Sequence, residues 1–332
     1  MVSAIINNLN IEISLMLTYI LFAAGFVILI FAAKFLVDGA SSIGIKAGLS
    51  QFVIGLTVVA LGTSLPELVI NVLASVDGNT GLAIGNVLGS NIMNTLLILG
   101  ITAIIFPIKV QSIVCKRDSW INLFAILILA IMANDLFFGK EKHVISTLDG
   151  TILLVFFIIM LYILFFKSGK QDTADADDIK SYSLLKSILL VIVGSLGLFF
   201  GGKWIVEGAI SISMDMGVSQ STVGLTLVAM ATSLPELVTS VVAASKKNTD
   251  IAIGNVFGSN IFNIFLVLGV SATIHPIDFD SNLNIEIGLL LVASIFLMIV
   301  IRVGSTKRTI TRLEGILLTI GYFIFLFWSI FS

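Results

Sequence analysis

A single cysteine, Cys115, occurs in 332 residues. That excludes an internal disulfide and any cysteine-rich metal centre. The two histidines, His143 and His275, stand far apart and outside the repeated motifs described below, so no zinc site or nucleophile–base pair is expected, and the chain is not read as an enzyme. Charge is also scarce. Asp, Glu, Lys and Arg make up 11% of the chain, whereas a soluble domain has about a quarter. A net charge of −2 gives no footprint for nucleic acid. The first cationic residue is Lys34, so the basic start of a cleaved secretory signal is missing. The first apolar run is therefore expected to be a retained membrane helix.

What the chain has instead is apolar length. It is 58% hydrophobic with a mean hydropathy of +1.13. Runs of about 20 apolar residues recur, enough to cross a bilayer as helices. They are continuous and lack the dyad alternation of a membrane β-barrel. The expected class is an all-α polytopic membrane protein. Its ten transmembrane helices are placed near 13–35, 52–75, 82–106, 120–137, 149–167, 184–205, 221–245, 251–274, 284–302 and 314–331. Segments 36–50 and 205–219 are expected to extend or follow the first helix of each half. The long hydrophilic stretch, residues 168–183, lies midway and reads as a linker.

The chain is internally duplicated. Residues 51–100 align without a gap to 220–269, a constant offset of 169, with 30 of 50 positions identical. Each copy carries Thr-Ser-Leu-Pro-Glu, ending at Glu67 or Glu236. Each also carries Gly-Asn-Val-x-Gly-Ser-Asn-Ile-x-Asn, ending at Asn94 or Asn263. All four prolines obey the offset, Pro66 with Pro235 and Pro107 with Pro276. Duplicated cassettes with interrupted helices at matching positions point to a transporter's binding site.

Residues 1–167 and 184–332 are read as two five-helix repeats around cores 51–100 and 220–269. An odd number of helices per repeat makes the second copy enter from the opposite side, so the repeats are expected to be inverted. With the amino terminus outside, fifteen Lys and Arg fall on inner loops and only Lys140, Lys142 and Lys203 outside. The positive-inside rule then puts both termini outside and the linker in the cytoplasm.

Glu67 and Glu236 lie within apolar segments that contain no Lys or Arg. A charge at the bilayer centre costs at least about 2.5–3.5 kcal/mol. Two carboxylates meeting at the midplane must be protonated or share a cation. Hydroxyls of Thr63, Ser64, Thr232 and Ser233 and amide oxygens of Asn94 and Asn263 supply hard ligands suited to calcium. Ser90 with Asn94, and Ser259 with Asn263, are four apart and share a helix face. Pro66 and Pro235 disturb the preceding turn, which makes the carbonyls of Ala60, Thr63, Ala229 and Thr232 candidates. Nothing soft is present for copper, zinc or iron.

Blander roles suit other residues. Gly85 and Gly254 read as helix-packing positions, and Asn86 and Asn255 as braces of the helix break. Asp38 and Glu207 match across the repeat near helix ends, as solvated or gating groups. The aspartates at 172, 175, 177 and 178 lack an EF-hand's ligand spacing and belong to a solvated linker.

The paired Thr-Ser-Leu-Pro-Glu and Gly-Ser-Asn-Ile-x-Asn stretches resemble the α-repeats of the calcium:cation antiporter superfamily, in its short prokaryotic sodium/calcium exchanger branch. The resemblance spans nearly the whole chain. It implies four clustered ion sites, with Glu67 and Glu236 on calcium and sodium. Ala60, Ser64 and Ser259 would serve one peripheral sodium site, and Ala229, Ser233 and Ser90 its mate. Thr63 and Thr232 would add backbone oxygens, and Asn94 and Asn263 would line the centre. Many members carry aspartate at the position of Asn263, and its absence argues against potassium cotransport. The expected function is exchange of Na+ for Ca2+ across the plasma membrane by alternating access, with no cofactor and the lipid bilayer as surroundings. Proton-driven calcium exchange is the alternative, and a cation channel the reading from another class.

Overall fold

The computed structural model describes residues 2–134, 143–167, 181–215, 230, 232–303 and 308–331. The expected site residue Ala229 and linker residues 168–180 fall outside them. The described helices are α1 (Val2–Ala47), α2 (Gln51–Thr63), α3 (Leu65–Val76), α4 (Thr80–Ile105), α5 (Ser119–Ala133) and α6 (Thr147–Lys167). After the linker come α7 (Leu184–Asp215), α8 (Leu234–Ser245), α9 (Thr249–Ile274), α10 (Asn284–Val303) and α11 (Arg312–Phe331). Among the described residues, seven helices are long and apolar enough to span a membrane, or eight if α2 and α3, bent by 48°, form one span. Of the other two spans expected, 120–137 is helical from Ser119 to Ala133, where description stops shortly after, and 221–245 is described mainly as α8.

The first helix runs well past the expected 35. No proline interrupts it, and it ends only at Gly48, whose φ of +65° closes the helix with Leu49 N–H donating to the Gly44 carbonyl at 2.9 Å. Its 46 residues measure about 69 Å at 1.5 Å each, more than twice the hydrocarbon thickness.

α1 and α7, each the first helix of its half, pack side by side through glycines. A Cβ on Gly25 would meet the Gly201 carbonyl at 2.8 Å, and one on Gly39 the Ser187 carbonyl at 2.7 Å. Contacts climb along one helix as they descend the other, so the pair is antiparallel. α2 and α9 pack as closely. A Cβ on Gly55 would stand 2.7 Å from the Ile251 carbonyl. The expected packing role of Gly254 is observed, its Cβ position 2.5 Å from the Phe52 carbonyl. Gly85 meets nothing within 4 Å.

The last helix of each half lies on the third helix of the other. Gly150 of α6 faces Gly269 of α9, and Gly315 of α11 faces Gly100 of α4. Two short antiparallel ladders repeat this exchange. β1 (Ile108–Lys109) pairs with β4 (Thr309–Ile310), and β2 (Val144–Ile145) with β3 (Ile277–Asp278). α6 and α11 start with the same capping box, the Ser146 N–H donating to Asp149 at 2.8 Å and the Thr311 N–H to Glu314 at 2.6 Å.

Burial separates the helices into two classes. The most apolar stretch of α4 is 78% buried and that of α9 94%, against 22% for α6 and α11. The two helices carrying Gly-Ser-Asn-Ile-x-Asn are thus the centre of the bundle, and many apolar residues of α1, α6, α7, α10 and α11 face outward.

Candidate functional site

The bend between α2 and α3 follows from the sequence around Pro66. Pro66 sits in the first turn of α3, where its missing N–H is tolerated, and Ser64 leaves the helical region at φ −85°, ψ 9°. The second copy repeats the geometry, with Ser233 at φ −89°, ψ 3° before Pro235 in α8. Each glutamate thereby lands in the first turn of a short helix, where the partial positive charge of the helix N-terminus favours an anion.

Both carboxylates are wholly buried, Glu67 and Glu236 each at 0% exposure. Ser64, on the turn that precedes Glu67, reaches the Glu236 carboxylate, so both acids belong to one cluster. Their surroundings differ. Glu236 accepts hydrogen bonds on Oε1 from Ser64 at 2.9 Å and Ser259 at 3.3 Å, and the two hydroxyl oxygens lie 3.1 Å apart. Thr63 stands beside the same carboxylate. Around Glu67 the equivalent residues Thr232 and Ser233 are close by, yet neither Glu67 oxygen makes a hydrogen bond, and Ser90 and Ser233 hydroxyls are unpaired. Glu236 Oε2, both amide atoms of Asn94 and Asn263 Oδ1 are also buried without a partner. Buried polar atoms are normally satisfied. Here a set of oxygens from both copies is left for a ligand that accepts them together, which a cation does.

Ten of the twelve site residues named from the sequence are buried and described with their side chains: Thr63, Ser64, Glu67, Ser90, Asn94, Thr232, Ser233, Glu236, Ser259 and Asn263. Ala60 is buried too. Its carbonyl already accepts from Ser64 N–H at 2.9 Å and has Thr63 Oγ1 3.2 Å away. Asn94 and Asn263 each stand where the helix passes into a π-helical turn, Met93–Ile98 and Asn263–Leu268, a distortion frequent at functional sites. No group of three or more His, Cys, Asp or Glu converges among the described residues.

Asn86 and Asn255 brace the break. Thr63 Oγ1 donates to Asn255 Oδ1 at 3.0 Å, and Asn255 Nδ2 donates to Ser240 at 3.0 Å and to the Glu236 carbonyl at 3.3 Å. In the other half Thr232 donates to Asn86 at 3.2 Å, and Asn86 to Asn71 at 2.6 Å. Asn71 and Ser240, which align at the offset, were not singled out in the sequence; polar residues inside an apolar run were the available signal. Asn255→Leu should remove these three hydrogen bonds and lower stability by about 1.5–4.5 kcal/mol, since each is worth about 0.5–1.5 net. Thermal unfolding in detergent measures this, and an unchanged melting temperature would remove the bracing role.

Away from the cluster, Asp38 is paired with Lys246 and is about one-third exposed, while Glu207 is half exposed with Lys203 3.7 Å away. Neither is a central ligand.

The family model described as Sodium/calcium exchanger protein matches residues 17–166 and 186–331. The putative antiporter CaxA of Alkalimonas amylolytica is 35% identical over 318 residues, covering 92% of this chain and 97% of its own. The sodium/calcium exchanger MaX1 of Methanosarcina acetivorans is 32% identical, covering 93% and 97%. A solved structure of the sodium-calcium exchanger NCX_Mj, soaked with 10 mM Na+ and zero Ca2+, superposes with a TM-score of 0.81 at 34% identity, over 93% of this chain and 98% of that one.

Proposed function

Because the chain belongs to the sodium/calcium exchanger family, we propose that it exchanges Na+ for Ca2+ across the plasma membrane by alternating access, normally expelling calcium. The observation that carries this reading is the pair of fully buried carboxylates from equivalent positions of a duplicated sequence, set in one cluster of unpaired oxygens. A divalent ion cancels both charges at once. Sodium ions at neighbouring oxygens neutralise the same cluster when calcium leaves, so the two ions compete for one set of ligands. Glu67 and Glu236 are the shared ligands. Ser64, Ser259 and the Ala60 carbonyl form one flank, and Ser90, Ser233 and the Ala229 carbonyl the other. Thr63 and Thr232 contribute backbone oxygens, and Asn94 and Asn263 the centre. These are ligands to transported ions, and no resident cofactor is invoked.

The architecture proposed is two inverted five-helix repeats, 1–167 and 184–332, joined by the linker 168–183. The antiparallel contact of α1 with α7 supports the inversion. The ladders support the topology: with the amino terminus outside, β1 and β4 both fall on the inner face, and β2 and β3 both on the outer. The same orientation puts the linker in the cytoplasm. Three sodium ions for one calcium would move one net charge, coupling the cycle to voltage at about 2.3 kcal/mol per 100 mV.

Proteoliposomes loaded with sodium provide the test. Calcium uptake is expected on dilution into sodium-free buffer, with the pH gradient collapsed by an ionophore and no potassium present. Uptake that ignores sodium and follows only an imposed pH gradient would replace this reading with proton-driven exchange. Flux that needs no counter-ion would make the protein a channel.

A further inference from the structure

We infer that Asn91 is a positioning residue that fixes which end of the Asn263 carboxamide is left free for a cation; this rests on the exchange reading above. The argument starts from a backbone carbonyl, which can only accept. Asn91 Nδ2 donates to the Asn260 carbonyl at 3.2 Å. That contact orients the Asn91 amide, so its Oδ1 is the atom presented on the other side. Asn91 Oδ1 in turn accepts from Asn263 Nδ2 at 3.1 Å. The Asn263 amide is therefore oriented as well, and its Oδ1 is the end left over, buried and unpartnered. The far end of the chain is anchored too, Asn260 Nδ2 donating to Thr95 Oγ1 at 2.8 Å. Asn263 opens the π-helical turn packed against α3, the helix of Glu67.

The polarity matters because an amide's oxygen and NH2 have nearly the same shape and opposite partial charge. Released from Asn91, the Asn263 amide can turn over without steric penalty and offer a donor where an ion needs an acceptor.

The second copy does not reproduce the relay. The equivalent of Thr95 is Ile264, Asn260 Oδ1 is unpaired, and neither amide atom of Asn94 has a partner. One central amide is thus held oxygen-free and the other is unconstrained. The duplicated sequence alone would give them the same role.

The test is sodium-driven calcium uptake by the full chain in proteoliposomes, with KM and maximal rate measured separately and melting temperature recorded. Asn91→Leu should raise the KM for calcium about tenfold with the maximal rate within about twofold of the parent. Asn263→Ala should raise KM by at least as much. The double variant should match Asn263→Ala alone, because positioning is lost once the positioned group is gone. A general packing defect would instead multiply with Asn263→Ala. Multiplying effects, or a parental KM for Asn91→Leu beside a raised KM for Asn263→Ala, would overturn the positioning role. A parental KM for Asn263→Ala would overturn Asn263 as a ligand, which is a failure of the exchange site itself. If Asn91→Leu does not insert, Asn91→Ser, too short to reach Asn263, carries the same comparison.

Discussion

Sodium-driven calcium uptake is expected to fall at least about a hundredfold in Glu67→Gln and in Glu236→Gln alike. Glutamine keeps the shape of each side chain and removes one of the two charges that a divalent ion needs in a water-poor cluster. A pair of unit charges 4 Å apart interacts by about 4 kcal/mol even at an effective dielectric of 20, and 1.4 kcal/mol is a factor of ten. Folding should behave differently from flux. Glu67 makes no hydrogen bond through either oxygen, so its neutral amide should leave the ion-free protein at least as heat-stable as the parent. At Glu236 the amide oxygen can still accept from Ser64 and Ser259. Uptake assays and melting curves on the same preparations check both halves. Robust uptake in both single variants would sink the shared-site mechanism, and unfolded variants would leave the loss of flux attributable to packing instead of charge.

The second large effect is expected at Gly258→Val. A Cβ there would stand 2.5 Å from the Leu56 carbonyl and 2.6 Å from the Ala60 Cβ. The obstructing atoms are backbone and a short side chain in the core, so no flexible group can yield. α9 would have to move off α2, at a cost of several kcal/mol, above the about 1–3 typical of inserted methylenes. Ala60 and the neighbouring Ser259 would separate with it. Gly288, where a Cβ would meet nothing within 4 Å, is the control: Gly288→Ala should express and transport normally. Size-exclusion profiles in detergent and recovered folded protein are the measurements. A Gly258→Val variant with parental yield and flux would show that the contact of α2 and α9 is not tight in the membrane.

Much of this protein follows from local physics that a sequence displays. Apolar runs with almost no charge can satisfy their backbone in lipid only as helices, so the helical membrane class is legible. The repeat at a constant offset marks both carboxylates, and proline before each glutamate marks the bend, because a missing N–H acts locally. The full length of α1 is less legible: nothing apolar distinguishes residues 36–47 from a loop, and it is Gly48 at positive φ that ends the helix. Tertiary structure alone decides what depends on two distant segments meeting. It gives the last helix of each half to the third helix of the other, through Gly150 with Gly269 and Gly100 with Gly315. It assigns Asn255 to the hydroxyl of Thr63, 192 residues away. It also breaks the symmetry that the duplicated motifs promise. Ser64 reaches Glu236 while Ser233 makes no such bond, and Asn263 is tied to Asn91 while Asn94 is tied to nothing. Hydrogen bonds are fixed by distances of a few tenths of an ångström, and identical motifs do not ensure identical distances once they pack against non-identical neighbours such as Thr95 and Ile264.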